Sequence, residues 1–143
     1  MNERKGSWLT GLAVLATVVG LALAGHLVRR NGDPGCALDG TRINAEYRVE
    51  AVDEDGRVHA FCCLRCAEIW VGRQSTAPRS VRVTDEFSGR LIDAGDAHYV
   101  RSSVVTNPAT GNRIHAFRSR AGAEKHADTH GGTVLSESER PFQ

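Results

Sequence analysis

The sequence predicts an α+β domain of duplicated ββα-type units, packed as one small domain and preceded by a single N-terminal transmembrane helix. Three observations predict it. A long apolar run stands at the front, the remainder carries an internal repeat, and short two-period stretches alternate with turn signals and short helices.

The apolar run comes first. Residues 7–28 read SWLTGLAVLATVVGLALAGHLV and carry no ionisable side chain apart from His26. A helix rises ~1.5 Å per residue, so roughly 20 apolar residues cross a bilayer core. Arg4 and Lys5 precede the run, Arg29 and Arg30 follow it, and Trp8 sits at one edge as an interfacial anchor would. Residues 1–30 therefore read as a single-pass anchor. A cleaved signal peptide is the alternative, because Ala22-Leu23-Ala24 resembles an A-x-A processing site. The flanking charges are tied and give no orientation. The N-terminal basic pair resembles the n-region of an export signal and favours a soluble domain outside the cytoplasm. Residues 31–35, Asn-Gly-Asp-Pro-Gly, form a breaker-rich linker, so folding should begin near Cys36.

An internal repeat organises residues 36–136. Gly56-Arg57-Val58-His59-Ala60-Phe61 leads through four residues to Cys66-Ala67-Glu68. Asn112-Arg113-Ile114-His115-Ala116-Phe117 leads through four to Gly122-Ala123-Glu124, 56 residues later. Upstream, Gly40, Ile43-Asn44-Ala45 and Tyr47 are echoed by Gly89, Ile92-Asp93-Ala94 and Tyr99. The first unit spans 36–78 and the second 79–136.

Within the first unit, Tyr47, Val49 and Ala51 alternate with polar residues as a half-buried strand does. Asp55-Gly56 signals a tight turn. Val58 to Cys62 is the return strand and Leu64 to about Val71 a helix. Val81 to Val83, past the end of that unit, is a further short strand. In the second unit, Tyr99 to Val105 is a strand, Asn107-Pro108 to Gly111 a turn, and Arg113 to Phe117 a strand. Ser119 caps a helix over about 120–129, which Gly131-Gly132 ends. Thr133 to Leu135 is a last short strand, and 137–143 a frayed tail.

Charge excludes one function class. The chain has 18 basic and 17 acidic residues; removing the four basic and one acidic residue of the first 30 leaves 14 and 16. No basic stripe interleaves with aromatics, so nucleic acid is not an expected partner. No Ser-His-Asp elbow, glycine-rich phosphate loop or HExxH appears, so no enzyme is expected.

Chemistry concentrates at one corner. Where the first unit has Cys62, Cys63 and Cys66, the second has Arg118, Ser119 and Gly122. The frame itself does not need sulfur there, which points to an added function. The thiols stand where a strand meets a helix N-terminus, whose partial positive charge favours thiolate. Cys36 can arrive from the preceding loop. Soft sulfur selects copper(I) or zinc over calcium or magnesium. Two other readings stay open: a Cys36–Cys66 disulfide, and a redox dithiol at Cys63-x-x-Cys66.

His59 shares a strand face with Phe61 and Cys63, which makes it a candidate ligand. Its counterpart His115 sits in the unit without cysteines, so a shared structural role is the competing reading. His98, His126 and His130 read as surface histidines.

Cys36-Ala37-Leu38-Asp39-Gly40, Tyr47 and His59-Ala60-Phe61-Cys62-Cys63-Leu64-Arg65-Cys66 resemble the TRASH and YHS class of metal-binding modules. Val83-Thr84-Asp85, Gly89, Ile92-Asp93-Ala94, Ala97, Tyr99-Val100, Ala116-Phe117-Arg118-Ser119, Ala123-Glu124 and His130-Gly131-Gly132 resemble the NosL family. Members of that family are accessory copper-binding proteins of nitrous oxide reductase that face the periplasm, and the resemblance, over most of 36–136, implies a copper(I) metallochaperone that passes the ion to a partner, without assigning the client. It also implies an acceptor metalloprotein as partner. The chain departs from the family in two ways. Met1 is its sole methionine, so Cys62, Cys63 and Cys66 replace the family's Cys-Gly-Met element, and zinc competes with copper. His26 stands where a lipidated cysteine would follow Leu23-Ala24-Gly25, so the apolar helix replaces a lipid anchor. A Cys-Cys pair beside a membrane also allows a homodimer sharing one metal.

Overall fold

The computed structural model describes residues 35–142. The segment expected to form the anchor lies outside the described residues. Among those described, no helix is long and apolar enough to cross a membrane. The described residues form one compact unit.

Among the described residues, seven strands and two α-helices follow one another: β1 Val49–Val52, β2 Val58–Phe61, α1 Leu64–Val71, β3 Ser80–Asp85, β4 Arg90–Asp93, β5 His98–Arg101, β6 Ile114–Phe117, α2 Arg120–His130 and β7 Thr133–Val134. They make an α+β domain with two antiparallel sheets, ordered β2-β1-β3-β4 and β6-β5-β7.

In each sheet a hairpin runs on into a helix, β1-β2 into α1 and β5-β6 into α2, and the registers correspond. Ala51 pairs with His59 in the first sheet, and Val100 with His115 in the second. A short 3-10 turn leads into each leading strand, Ala45–Tyr47 before β1 and Ala94–Asp96 before β5. Each is capped by the side chain two residues back, Asn44 Oδ1 accepting from Glu46 N–H and Asp93 Oδ1 from Gly95 N–H. That cap corrects one expectation. Tyr47 lies in the turn rather than on the strand, because the Asx bond closes the backbone there.

The hairpin after β1 is also longer than a two-residue turn. Residues 53–57 form the loop, with Asp53 N–H donating to Arg57 O and Gly56 in the left-handed region at φ 81°. The expected strand from Tyr99 to Val105 stops at Arg101. Ser102 then turns away, its Oγ accepting from Val104 N–H.

The largest departure is residues 80–93. Only Val81 to Val83 is expected as a strand, yet β3 and β4 form a full hairpin, and β3 hydrogen-bonds to β1. Asp85 and Glu86 then tie this hairpin to the second sheet. Arg118 N–H donates to Asp85 Oδ1 at 3.1 Å and Glu86 N–H to Ala116 O at 3.1 Å.

One core runs between the sheets, with Val49, Phe61, Val83, Ala97 and Tyr99 almost fully buried. Burying such a side chain is worth about 1.5–3 kcal/mol. A smaller cluster seats α2. Its Ala123 and Ala127, one turn apart, pack on Val100 and Phe117. Gly131 ends α2 at φ 61°, and Gly132 N–H donates to Ala127 O at 2.8 Å.

Candidate metal centre

β2 runs into α1 through Cys62 and Cys63. Cys63 is the N-cap, with extended backbone, and its sulfur makes no capping bond. Cys66 is on the first turn. The helix turns its Leu64, Cys66 and Ala67 inward, so all three thiols of this corner are buried.

Cys36 reaches them from a turn pinned to the same strand. Ala37 N–H donates to Ala60 O at 2.8 Å, two residues before Cys62. The turn closes on itself through Cys36 N–H to Thr41 O at 2.8 Å and Gly40 N–H to Cys36 O at 2.7 Å. The backbones of Gly35 and Gly40 approach so closely that a Cβ on Gly35 would stand 2.4 Å from Gly40 O, so no larger residue fits.

This folding gathers the sulfurs of Cys36, Cys62 and Cys66 and a carboxylate oxygen of Asp39 within 4.8 Å of one another. Cys62 Sγ and Cys66 Sγ are 3.5 Å apart. All four cysteines are free thiols. Asp39 is the exposed member and forms the lip of an otherwise buried cluster. Thr41 N–H donates to Asp39 Oδ1 at 2.9 Å and, as the leading cause, holds that carboxyl below its usual range. Its Oδ2 faces Cys66 Sγ at 3.6 Å.

Burial pushes the Cys62 thiol up to about 12 and the Cys66 thiol up as well. Neutral thiols can crowd together where thiolates would repel. A bound cation reverses that balance, because it compensates the charge that deprotonation creates. The donor set suits a soft cation: three sulfurs and one carboxylate fit copper(I) or zinc.

The loop between β5 and β6 walls the cluster. Asn107 Nδ2 donates to Cys62 Sγ at 3.0 Å, and Thr110 Oγ1 is 3.4 Å from Cys63 Sγ. Cys63 Sγ lies 4.0 Å from Cys62 Sγ but outside the four-donor group. His59 also stands outside that group. Its Nε2 is 2.8 Å from Asp53 Oδ2, and its ring rests on Trp70 at 4.6 Å between centroids.

The NosL family profile matches residues 40–141. The chain belongs to the NosL family. The fold is similar to the crystal structure of the copper chaperone NosL from Shewanella denitrificans, with a TM-score of 0.63 and 21% identity over 77% of this chain and 92% of that one. A comparison with curated proteins finds no match. The NosL match takes in Cys62, Cys63 and Cys66, while Cys36 and Asp39 precede it.

Three residues of the site escape a reading of sequence. Asp39 has a visible signal, since it follows Cys36 by three positions in a glycine-closed turn. Asn107 and Thr110 have none. They lie more than 40 residues from the thiols, in what reads as an ordinary turn.

Proposed function

We propose that this NosL family member is a membrane-anchored, extracytoplasmic copper(I) chaperone, which holds the ion at Cys36, Cys62 and Cys66 and passes it to an acceptor metalloenzyme. The carrying observation is the group of three thiols and one carboxylate, preformed at a strand–helix corner with an exposed lip. Two thiolates balance copper(I) to a single negative charge, and a third sulfur offers a route for ligand exchange. Cys63 and His59 complete the candidate set, Cys63 as a neighbouring sulfur and His59 as a ligand only if it leaves Asp53. The periplasmic location and the anchor rest on residues 1–30, and the two-unit frame reads as a duplication. A homodimer is compatible with this reading through the exposed Asp39 side.

A second reading has its own observation. Asp39 adds a hard oxygen to three sulfurs, and a closed four-donor set is how structural zinc is held. A thiol oxidoreductase is less well supported, since a nucleophilic thiol needs a lowered pKa and burial does the opposite here.

Anaerobic titration of the full chain in mild detergent, with copper(I) and then zinc, separates these. The chaperone reading expects one tightly held copper(I), a fold that survives without it, and transfer to a competing acceptor. Cys62→Ser and Cys66→Ser should each weaken binding by more than about a hundredfold, beyond the 10–100-fold typical of outer partners. Cys63→Ser and His59→Ala decide whether those two belong to the set. Unfolding of the metal-free chain, with rescue by zinc alone, would establish the structural-zinc reading instead. A Cys62–Cys66 disulfide that cycles in a chain binding neither metal would sink both.

A further inference from the structure

The second half of the domain carries a donor set of another kind. Glu86, His115 and His126 bring a carboxylate oxygen and one nitrogen from each imidazole within 4.8 Å of one another. They line an open cavity of about 730 Å³ that also takes in His130 and is touched by none of the cysteines.

The hydrogen bonds of His115 define what this set lacks. Its side chain is fully buried. Its Nε2 is 3.2 Å from Val104 O, a carbonyl that only accepts, so Nε2 carries the proton. Nδ1 is left with a lone pair, and it stands 2.9 Å from both oxygens of Glu86. A lone pair facing a carboxylate needs a cation between them, either a proton or a metal ion. Fixing one ring nitrogen on a backbone carbonyl while the other faces a cation is how ligating histidines are held. His126 is fixed too, through Nε2 to Ser102 Oγ at 3.1 Å. Around a tetrahedral ion with ~2.0–2.1 Å bonds, donors stand about 3.3 Å apart, inside the 4.8 Å that bounds this group.

The repeat shows that packing alone does not require a histidine at position 126. The 56-residue offset sets His59 on His115, Phe61 on Phe117 and Trp70 on His126. The ring contacts correspond. Trp70 lies 4.6 Å from His59 and 5.4 Å from Phe61; His126 lies 4.3 Å from His115 and 5.1 Å from Phe117. Tryptophan does the packing in one half, and the other half puts a donor nitrogen in its place.

We propose that Glu86, His115 and His126 form a second metal site, separate from the thiols, for a borderline divalent cation of the zinc(II) type. Two imidazoles and a carboxylate suit zinc, whereas copper(I) prefers sulfur. The fourth position is left to water or to His130.

The test loads the full chain anaerobically with copper(I) and then titrates zinc(II). One further equivalent of zinc should bind, with an X-ray absorption shell of nitrogen and oxygen at ~2.0–2.1 Å and no sulfur at ~2.3 Å. Glu86→Gln and His126→Trp, the latter keeping the packing of the first half, should each weaken zinc binding by at least about tenfold. His98→Ala should not. In the unmodified chain, zinc should shift the imidazole resonances of His115 and His126 and leave those of His98, which covers the event that a variant misfolds. A chain that takes no further zinc, a sulfur shell, or unshifted His115 and His126 resonances would overturn the proposal. If the thiols fail to load copper(I), zinc with sulfur neighbours reports that failure, and the imidazole resonances of His115 and His126 then decide the proposal.

Discussion

The two strand–helix corners share a backbone and differ in chemistry. In the second, Ser119 Oγ accepts from Gly122 N–H at 3.1 Å and caps α2. In the first, Cys63 holds the same position, makes no cap bond, and turns its sulfur to Thr110. One corner uses its N-cap for helix stability, while the other gives it up for a thiol. Their histidines differ similarly. His59 is partly exposed, pairs with Asp53 and packs on Trp70, whereas His115 is buried against Glu86 with His126 over it. Two corners of the same backbone form thus carry sulfur side chains in one and nitrogen side chains in the other.

The comparison can be broken most severely at the phenylalanines. Phe61→Ala should cost about 3–5 kcal/mol in urea denaturation, because Phe61 is fully buried in the core joining the sheets. Phe117→Ala, in the smaller cluster under α2, should cost less. Equal losses would mean that the halves are equally supported. Next comes the wall of the sulfur corner. Asn107→Ala should lower copper(I) affinity by about 10–100-fold while leaving stoichiometry unchanged, since it removes the donor to Cys62 Sγ together with the acceptor for Ala109 N–H in the same loop.

A smaller effect tests the caps. Ser119→Ala should cost about 1 kcal/mol, and Cys63→Ala should show no cap loss in helix content by circular dichroism. The smallest is an alkaline pH dependence carried by Tyr99, whose strand position in the first half is held by Glu50. Burial, ahead of any charge, raises the Tyr99 hydroxyl above its usual 10.0. The unfolded chain therefore loses that proton first. Stability is fully present below pH 10 and declines as pH rises above it. Tyr99→Phe should flatten that alkaline decline in thermal melts. It should also lose about 1 kcal/mol at neutral pH with the bond to Ala94 O. An unchanged alkaline limb would remove Tyr99 as its cause.

Much of the fold is legible in residue order, and the reasons are local. Leu64–Val71 and Arg120–His130 follow from periodicity, an N-cap serine and a terminal glycine. The β3–β4 hairpin is not legible in the same way. Arg90–Asp93 echoes 41–44 in sequence and both lead into a capped turn, yet Arg90–Asp93 pairs with β3 and 41–44 forms no strand, because partner availability decides pairing. The cysteines are legible as a group. Their separation is not: Cys63 turns to Thr110 while Cys36 and Asp39 join Cys62 and Cys66. His126 reads as a surface residue on a polar helix, and its contacts with His115 and Phe117 appear only when α2 docks on β5 and β6.

The sequence by itself determined the repeat, the elements that local propensity and capping dictate, and the concentration of sulfur in one copy. Only the tertiary structure decided which donors meet. Asp39 closes the thiol group, Asn107 and Thr110 wall it, and Glu86 reaches His115, each across 20 or more residues of chain. Such distances are set by sheet pairing and core packing, which no spacing between neighbours along the chain encodes.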